Sequence, residues 1–286
     1  MDEIVETPLQ DAPVAAPPAA TLPMPHRFTF SGDAREYFRI WIVNLALGIV
    51  TLGVYSAWAK VRTQRYFYSH TRLAGSPFEY LAQPLPILKG RIIAVVLFGG
   101  YLLSSEFMPV VSLVLLVVIS LATPWLVVRG LMFRARYASW RGLTFRFVGD
   151  YASAIRYFFL MYLLVPLTLG TIYPYVKFKQ KQFVVENHRF GGKRFAFTDD
   201  TSLLYGPYVI AAVGVISSML ALVFLGTPLL MSMGAHADPD IATARAEWFG
   251  YAYVGVMYLS YFVAWTFLSA RVTNLVYDHA SLDGHR

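Results

Sequence analysis

The sequence has no cysteine and little charge. With no Cys among 286 residues, structural disulfides, thiolate chemistry and cysteine-based metal sites are excluded. Charged residues make up 14% of the chain, against about a quarter in a soluble domain, which argues against an ordinary water-exposed globule. No Gly-rich phosphate loop, Ser/His/Asp set or zinc motif occurs. The His residues lack metal-ligand spacing, and His70 and His188 do not occupy corresponding positions in the repeat described below. These absences predict a chain that is not an enzyme and binds neither cofactor nor metal. Residues 1–25 lack the basic start and the apolar run of about 7–15 residues that a signal peptide needs. Their Ala/Pro-rich, acidic composition predicts a disordered tail.

What is abundant is apolar. Hydrophobic residues make up 57% and aromatics 16%, as expected of a chain whose main solvent is lipid and whose Trp and Tyr sit at headgroup level. Six apolar segments stand out: Ile40–Trp58, Ile92–Leu103, Val110–Val128, Tyr157–Tyr175, Tyr208–Leu230 and Trp248–Leu268. A spanning helix needs about 20 residues. The second segment is short, so Lys89 and Arg91 are expected to reach back toward headgroups.

A shift of 117 residues aligns 28–80 with 145–197 without a gap. It matches Gly32-Asp33 with Gly149-Asp150, Thr51-Leu52-Gly53 with Thr168-Leu169-Gly170, and Lys60 with Lys177. Shared apolar composition does not produce such matches at one offset, so an internal duplication is expected. The predicted organisation is a tail over 1–25, membrane repeats over 28–142 and 145–275, and a short tail over 276–286.

Charge then sets the topology. If all six segments span, Lys and Arg divide almost evenly between the two sides. If the first and fourth enter and leave on one face, every Lys and Arg except Arg245 falls on that face. Because Lys/Arg bias in short loops orients membrane proteins, the second arrangement is preferred. The Gly of each Thr-Leu-Gly, with Pro166 and Pro174, suits a broken helix. The expected fold class is a mainly α membrane protein: a polytopic helical bundle with an internal duplication. Each half holds one broken, re-entrant helix and a spanning hairpin, with small cytoplasmic β-hairpins and both termini cytoplasmic. The alternative is six full transmembrane spans. Ser104-Ser105-Glu106 and Met231–Glu247 are read as the opposite-side loops.

The β-hairpins come from three Gly-x-x-Phe-x-aromatic stretches, at Gly75–Tyr80, Gly142–Phe147 and Gly192–Phe197. They are expected to lie on the inner surface and to form one small sheet. The run from Phe28 to Asp33, the stretch Thr51–Tyr66 and the following TRLAGSPFEY resemble the repeat of the YjgN-like family of bacterial inner-membrane proteins, a domain of unknown function. The resemblance covers about 28–275; the second copy departs from it, with Ile172 for Tyr55 and Tyr175 for Trp58. It implies an inner-membrane location and kinship of fold, with a C-terminus, just after Tyr277 and Gly284, that ends one hairpin early. It implies no catalytic residues.

No ionisable group lies at the centre of a span, which argues against a proton relay. Ser56, Thr123, Ser217, Ser218 and Thr227 are expected to bond helix backbone or a neighbouring helix. Asp33 and Asp150 are read as helix N-caps in preference to a symmetric cation site. Two functions follow. One is a small-solute transporter or channel whose site lies at the broken helices, with Asn44, Thr51, Gly53, Thr168 and Gly170 as pathway residues. The other is a non-transporting scaffold, sensor or lipid-binding protein. In either, Lys60, Arg62, Arg65, Lys177, Lys179 and Lys181 are expected to contact anionic headgroups on the cytoplasmic face, in preference to nucleic acid.

Overall fold

The computed structural model describes residues 27–234 and 239–282; the expected tail over 1–25 lies outside them. Every helical excursion starts and ends at a strand of one sheet. Strand β1 (Phe28–Phe30) leads into α1 (Ala34–Val50) and α2 (Ser56–His70), and the chain returns as β2 (Thr71–Leu73) and β3 (Ser76–Tyr80). Helices α3 (Pro84–Phe107) and α4 (Pro109–Tyr137) follow, then β4 (Ala138–Trp140) and β5 (Leu143–Phe147). The order then recurs. Helix α5 (Tyr151–Ile155), a π-helical turn (Arg156–Leu160) and α6 (Met161–Leu167) lead to α7 (Tyr173–Glu186), β6 (His188–Phe190) and β7 (Lys193–Phe197). Last come α8 (Tyr205–Ala221), a π-helical turn (Leu222–Gly226), α9 (Thr227–Gly234), α10 (Pro239–Asp278) and β8 (Ala280–Leu282).

The eight strands form a single antiparallel meander in chain order. Two-residue turns at Ala74-Gly75, Arg141-Gly142 and Gly191-Gly192 join three of its hairpins, with positive φ at both positions. Those dihedrals belong to the tight turn whose twist matches that of the strands, and the Gly of each expected hairpin supplies the second position. The register repeats with the sequence offset: Phe28 faces Leu73, and Phe145 faces Phe190. The Ser31 amide donates to the His70 carbonyl at 3.0 Å, and Val148 to Asn187 at 2.9 Å, closing the base of the first and third helical excursions in the same way.

The tips of these two excursions are also alike. At Thr51-Leu52-Gly53 the Gly53 amide donates to Gly48 and the Leu52 amide to Ile49; at Thr168-Leu169-Gly170 the Gly170 amide donates to Val165 and the Leu169 amide to Pro166. This pair of bonds satisfies the last carbonyls of a helix that ends on left-handed residues. Leu52 (φ 50°) and Leu169 (φ 49°) adopt that conformation, which costs an L-residue with a Cβ roughly 1–2 kcal/mol. Both side chains stand free, 95% and 93% exposed within the chain.

Among the described residues, four helices are long and apolar enough to cross a membrane: Pro84–Phe107, Pro109–Tyr137, Tyr205–Gly226 and Thr243–Asp278. Almost none of their apolar windows is buried inside the protein, so lipid is the solvent that suits them. The short second segment is corrected. Pro84 opens α3, where a missing N–H costs nothing, and at the far end Ser104 and Ser105 donate to the Tyr101 and Leu102 carbonyls inside the helix. Its 24 residues reach about 36 Å. Ser104-Ser105-Glu106 is therefore helix, and the turn falls at Met108. Likewise α9 and α10 take up most of the expected loop Met231–Glu247.

The core lies where helices meet the sheet. Phe147 packs with Phe183, Val128 and Ala154; Phe178 packs with Phe197, Leu204 and Val272; and Tyr80 packs with Val61 and Ala82. Alternation along β5 and β7 puts Phe145, Phe147 and Phe197 on the helix side.

Candidate functional site

Asn44 is the one buried polar residue of α1. Its Nδ2 reaches the Ala59 carbonyl at 3.5 Å and Thr63 Oγ1 at 3.4 Å across the α1–α2 interface, and its buried Oδ1 has no partner. Together with Trp41, Ala59 and Lys60 it lines an open cleft of about 280 Å³.

Beside this cleft three cations gather. Ser56 and Lys60 lie one turn apart on α2. Arg91 of α3 donates from Nη1 to Ser56 Oγ. Burial holds the Lys60 ammonium below its ordinary range, and the charges of Arg134 (on α4) and Arg91 lower it further. No carboxylate pairs with any of the three among the described residues. Arg91 directly precedes the apolar run Ile92–Leu103.

The corresponding place in the second half is built differently. Lys177 takes the position of Lys60, Tyr173 that of Ser56 and Tyr208 that of Arg91. Lys177 Nζ donates to Tyr162 Oη at 2.7 Å and lies 5.2 Å from the Tyr173 ring centre, and Tyr173 packs edge-on against Tyr208 at 5.5 Å. Burial opposes the Lys177 charge, but its bond to Tyr162 and the neighbouring phenols outweigh burial and raise its pKa. A lysine in a tyrosine cage is supplied from within the protein; Lys60, whose charge Arg134 and Arg91 oppose, is not.

The other expected basic contacts divide. Arg62 is exposed, whereas Arg65 Nη2 donates to the Ala82 carbonyl at 3.2 Å. Lys179 Nζ donates to Gln182 Oε1 at 2.9 Å, and Lys181 is lowered by burial and by Lys177. Thr51 Oγ1 donates to Leu47 and Thr168 Oγ1 to Leu164, each within its own helix, and Gly53 and Gly170 lie in the tips of separate helical excursions. Asp33 and Asp150 cap α1 and α5, accepting from the Arg35 and Ser153 amides at 3.1 and 2.7 Å. Ser218 and Ser260 bond across α8 and α10 at 2.8 Å, and Thr123 bonds its own helix. Arg91 and Arg134 were not among the expected site residues. The signal available in the sequence was their place beside apolar runs, but their influence on Lys60 depends on helix packing.

His188, on β6, donates from Nδ1 to the Val184 carbonyl, 2.6 Å away. Burial lowers its pKa, partly offset by that bond. The folded form thus resists a proton that the unfolded chain takes up near 6.5. Stability is expected to fall as pH drops through and below about 6.5, and His188→Phe is expected to flatten that slope. Melting temperatures of the detergent-solubilised protein between pH 5 and 8 measure it; equal slopes for both proteins would remove the assignment.

A sheet carrying apolar helical hairpins with basic residues at their bases defines a helical membrane protein. A family model described as "Bacterial protein of unknown function (DUF898)" matches residues 25–286, and the chain belongs to that family. It is similar to the inner membrane protein YjgN of Escherichia coli K12, 28% identical over 149 residues, which is 52% of this chain and 37% of the relative. The inner membrane protein YjgN of Salmonella typhimurium is 30% identical over 148 residues, 50% of this chain and 37% of the relative. The matched region thus spans less than two fifths of those relatives' length. No solved structure matches the chain significantly. The relatives' names and the four apolar helices support an inner-membrane location.

Proposed function

We propose that this chain is a non-transporting, non-enzymatic inner-membrane protein that holds anionic lipid headgroups on its cytoplasmic face through Lys60, Arg91 and Arg134. The observation that carries the reading is the bond from Arg91 to Ser56, one turn from Lys60, with the charges of Arg91 and Arg134 both acting on Lys60 and no carboxylate paired with any of the three among the described residues. Like charges held together cost energy unless an external anion compensates them, and a headgroup phosphate offers oxygens to a guanidinium fork. Arg91, at the foot of an apolar helix, stands at headgroup depth if α3 spans the bilayer.

In this reading the protein is multi-pass, α3, α4, α8 and α10 span, and both ends of the described chain lie on the cytoplasmic side with the sheet. The two halves descend from an internal duplication, supported by the common register and the twin tips. Helices α1–α2 and α5–α7 are re-entrant. A leucine in a strained left-handed position, twice and fully exposed, gains nothing in water; placed in hydrocarbon it offsets its backbone cost by about 2 kcal/mol. Transport gains no support from the Thr51 and Thr168 hydroxyls, which bond their own helices.

The test compares melting temperature in nanodiscs of phosphatidylcholine alone with nanodiscs containing phosphatidylglycerol. The wild type is expected to gain stability from phosphatidylglycerol, and Lys60→Gln with Arg91→Gln to lose most of that gain. Lys177→Gln is expected to keep it. An equal gain in the double variant, or stabilisation by a small solute that Thr51→Val with Thr168→Val removes, overturns the proposal.

A further inference from the structure

Strands β5, β6 and β7 set Arg146 directly opposite Arg189 and Arg189 directly opposite Arg194. Opposed residues in antiparallel strands share a face, with Cα atoms about 4.5–5.5 Å apart, so three guanidinium groups form one row about 10 Å long. Like charges so placed destabilise a sheet. No ion pair relieves any of the three among the described residues. Arg189 Nε is buried without a hydrogen-bond partner, while Arg146 and Arg194 are exposed.

The fold does not require this row. At the same register in the first half the corresponding residues are Thr29, Arg72 and Pro77, one arginine in place of three. The row also lies on the face away from α4 and α7, because Phe145, Phe147 and Phe197 occupy the helix side. That direction disfavours a lipid headgroup. A nucleic acid is disfavoured too, since the aromatics that would stack on bases, Phe145 and Phe190 among them, stand on the opposite face.

We propose that Arg146, Arg189 and Arg194 form a binding site for a soluble anion carrying two or more adjacent phosphate groups. Each guanidinium presents a planar fork that matches phosphate oxygens bidentately, and a row of three suits linked phosphates better than a single one. Arg189 is the inner anchor, and Arg146 and Arg194 flank it. The site is independent of the headgroup contact at Lys60, on different elements and a different face of the sheet.

The experiment titrates the full chain, in phosphatidylcholine nanodiscs, with tripolyphosphate, ATP and inorganic phosphate by calorimetry. The exposed residues are changed, as Arg146→Gln with Arg194→Gln, so that Arg189 and the fold are left in place. Tripolyphosphate and ATP are expected to bind, inorganic phosphate at least tenfold more weakly, and the double variant to lose at least tenfold in affinity for tripolyphosphate. Without ligand the double variant is expected to melt no lower than the wild type. Three results overturn the proposal: no binding of tripolyphosphate; equal binding by the double variant; or no effect of soluble phosphates while phosphatidylglycerol nanodiscs distinguish the two proteins, which would make the row a headgroup site. Lys60→Gln with Arg91→Gln is expected to leave tripolyphosphate binding unchanged, which separates this site from the lipid contact.

Discussion

Single cysteines placed at His70, Tyr137 and Asn187 are expected to react with a membrane-impermeant thiol reagent from the cytoplasmic side alone, and cysteines at Leu52 and Leu169 from neither side. The chain has no native cysteine, so labelling has no background. Each of the first three residues lies at a helix terminus beside the sheet: His70 adjoins β2, Tyr137 adjoins β4 and Asn187 adjoins β6. Because the strands form one meander, the three positions share a side of the bilayer if the sheet does. The alternative of six spans puts Asn187 across the bilayer from His70 and Tyr137, since two spans separate His70 from Tyr137 and one more separates Tyr137 from Asn187. The contrast is all or none: near-complete reaction against background. Labelling of Asn187→Cys from the side opposite to that which labels His70→Cys and Tyr137→Cys would end the re-entrant arrangement, and with it the headgroup depth assigned to Arg91.

Phe178→Ala is expected to cost about 3–5 kcal/mol, the usual range for truncating a buried aromatic ring. Phe178 is 0% exposed and packs with Phe197, Leu204 and Val272, drawing α7, β7, α10 and the entry to α8 into one cluster. Its ring lies 5.5 Å from that of Phe197. A cavity there is bounded by four separate segments that cannot collapse together, so the melting temperature is expected to fall on the order of 10 °C. Phe178→Leu, which keeps most of the volume, is expected to lose under about 1.5 kcal/mol. Phe224, 70% exposed on the helical segment Tyr205–Gly226, is the control, since little of the protein packs around it. If thermal unfolding in detergent shows Phe178→Ala no worse than Phe224→Ala, the sheet–helix junction is not the structural core.

The breaks in the first and fourth apolar segments are legible in sequence because Gly53 and Gly170 can take φ near +88° and +83°, and the same triplet recurs at one offset. The three hairpins are legible because two-residue turns with positive φ call for glycine at the second position. Helix α3 was underestimated because the apolar run, which reports lipid contact, is shorter than the helix. Pro84 and the self-bonded Ser104 and Ser105 extend it at no cost in unsatisfied backbone groups. Strands β1 and β8, each three residues long, carry too little alternation to be read alone.

Sequence alone determined the membrane character of the chain, the places where its helices break and the positions of its tight turns. Each of these depends on the local chemistry of a few neighbouring residues: apolar side chains, glycine dihedrals, proline at a helix start. Only the tertiary structure decided that Arg91 bonds Ser56 and acts with Arg134 on the charge of Lys60, that Lys177 meets tyrosines instead, and that Arg146, Arg189 and Arg194 stand in one row. Those meetings depend on strand register and on the packing of helices far apart in the chain, and no local pattern encodes which distant residue will lie opposite.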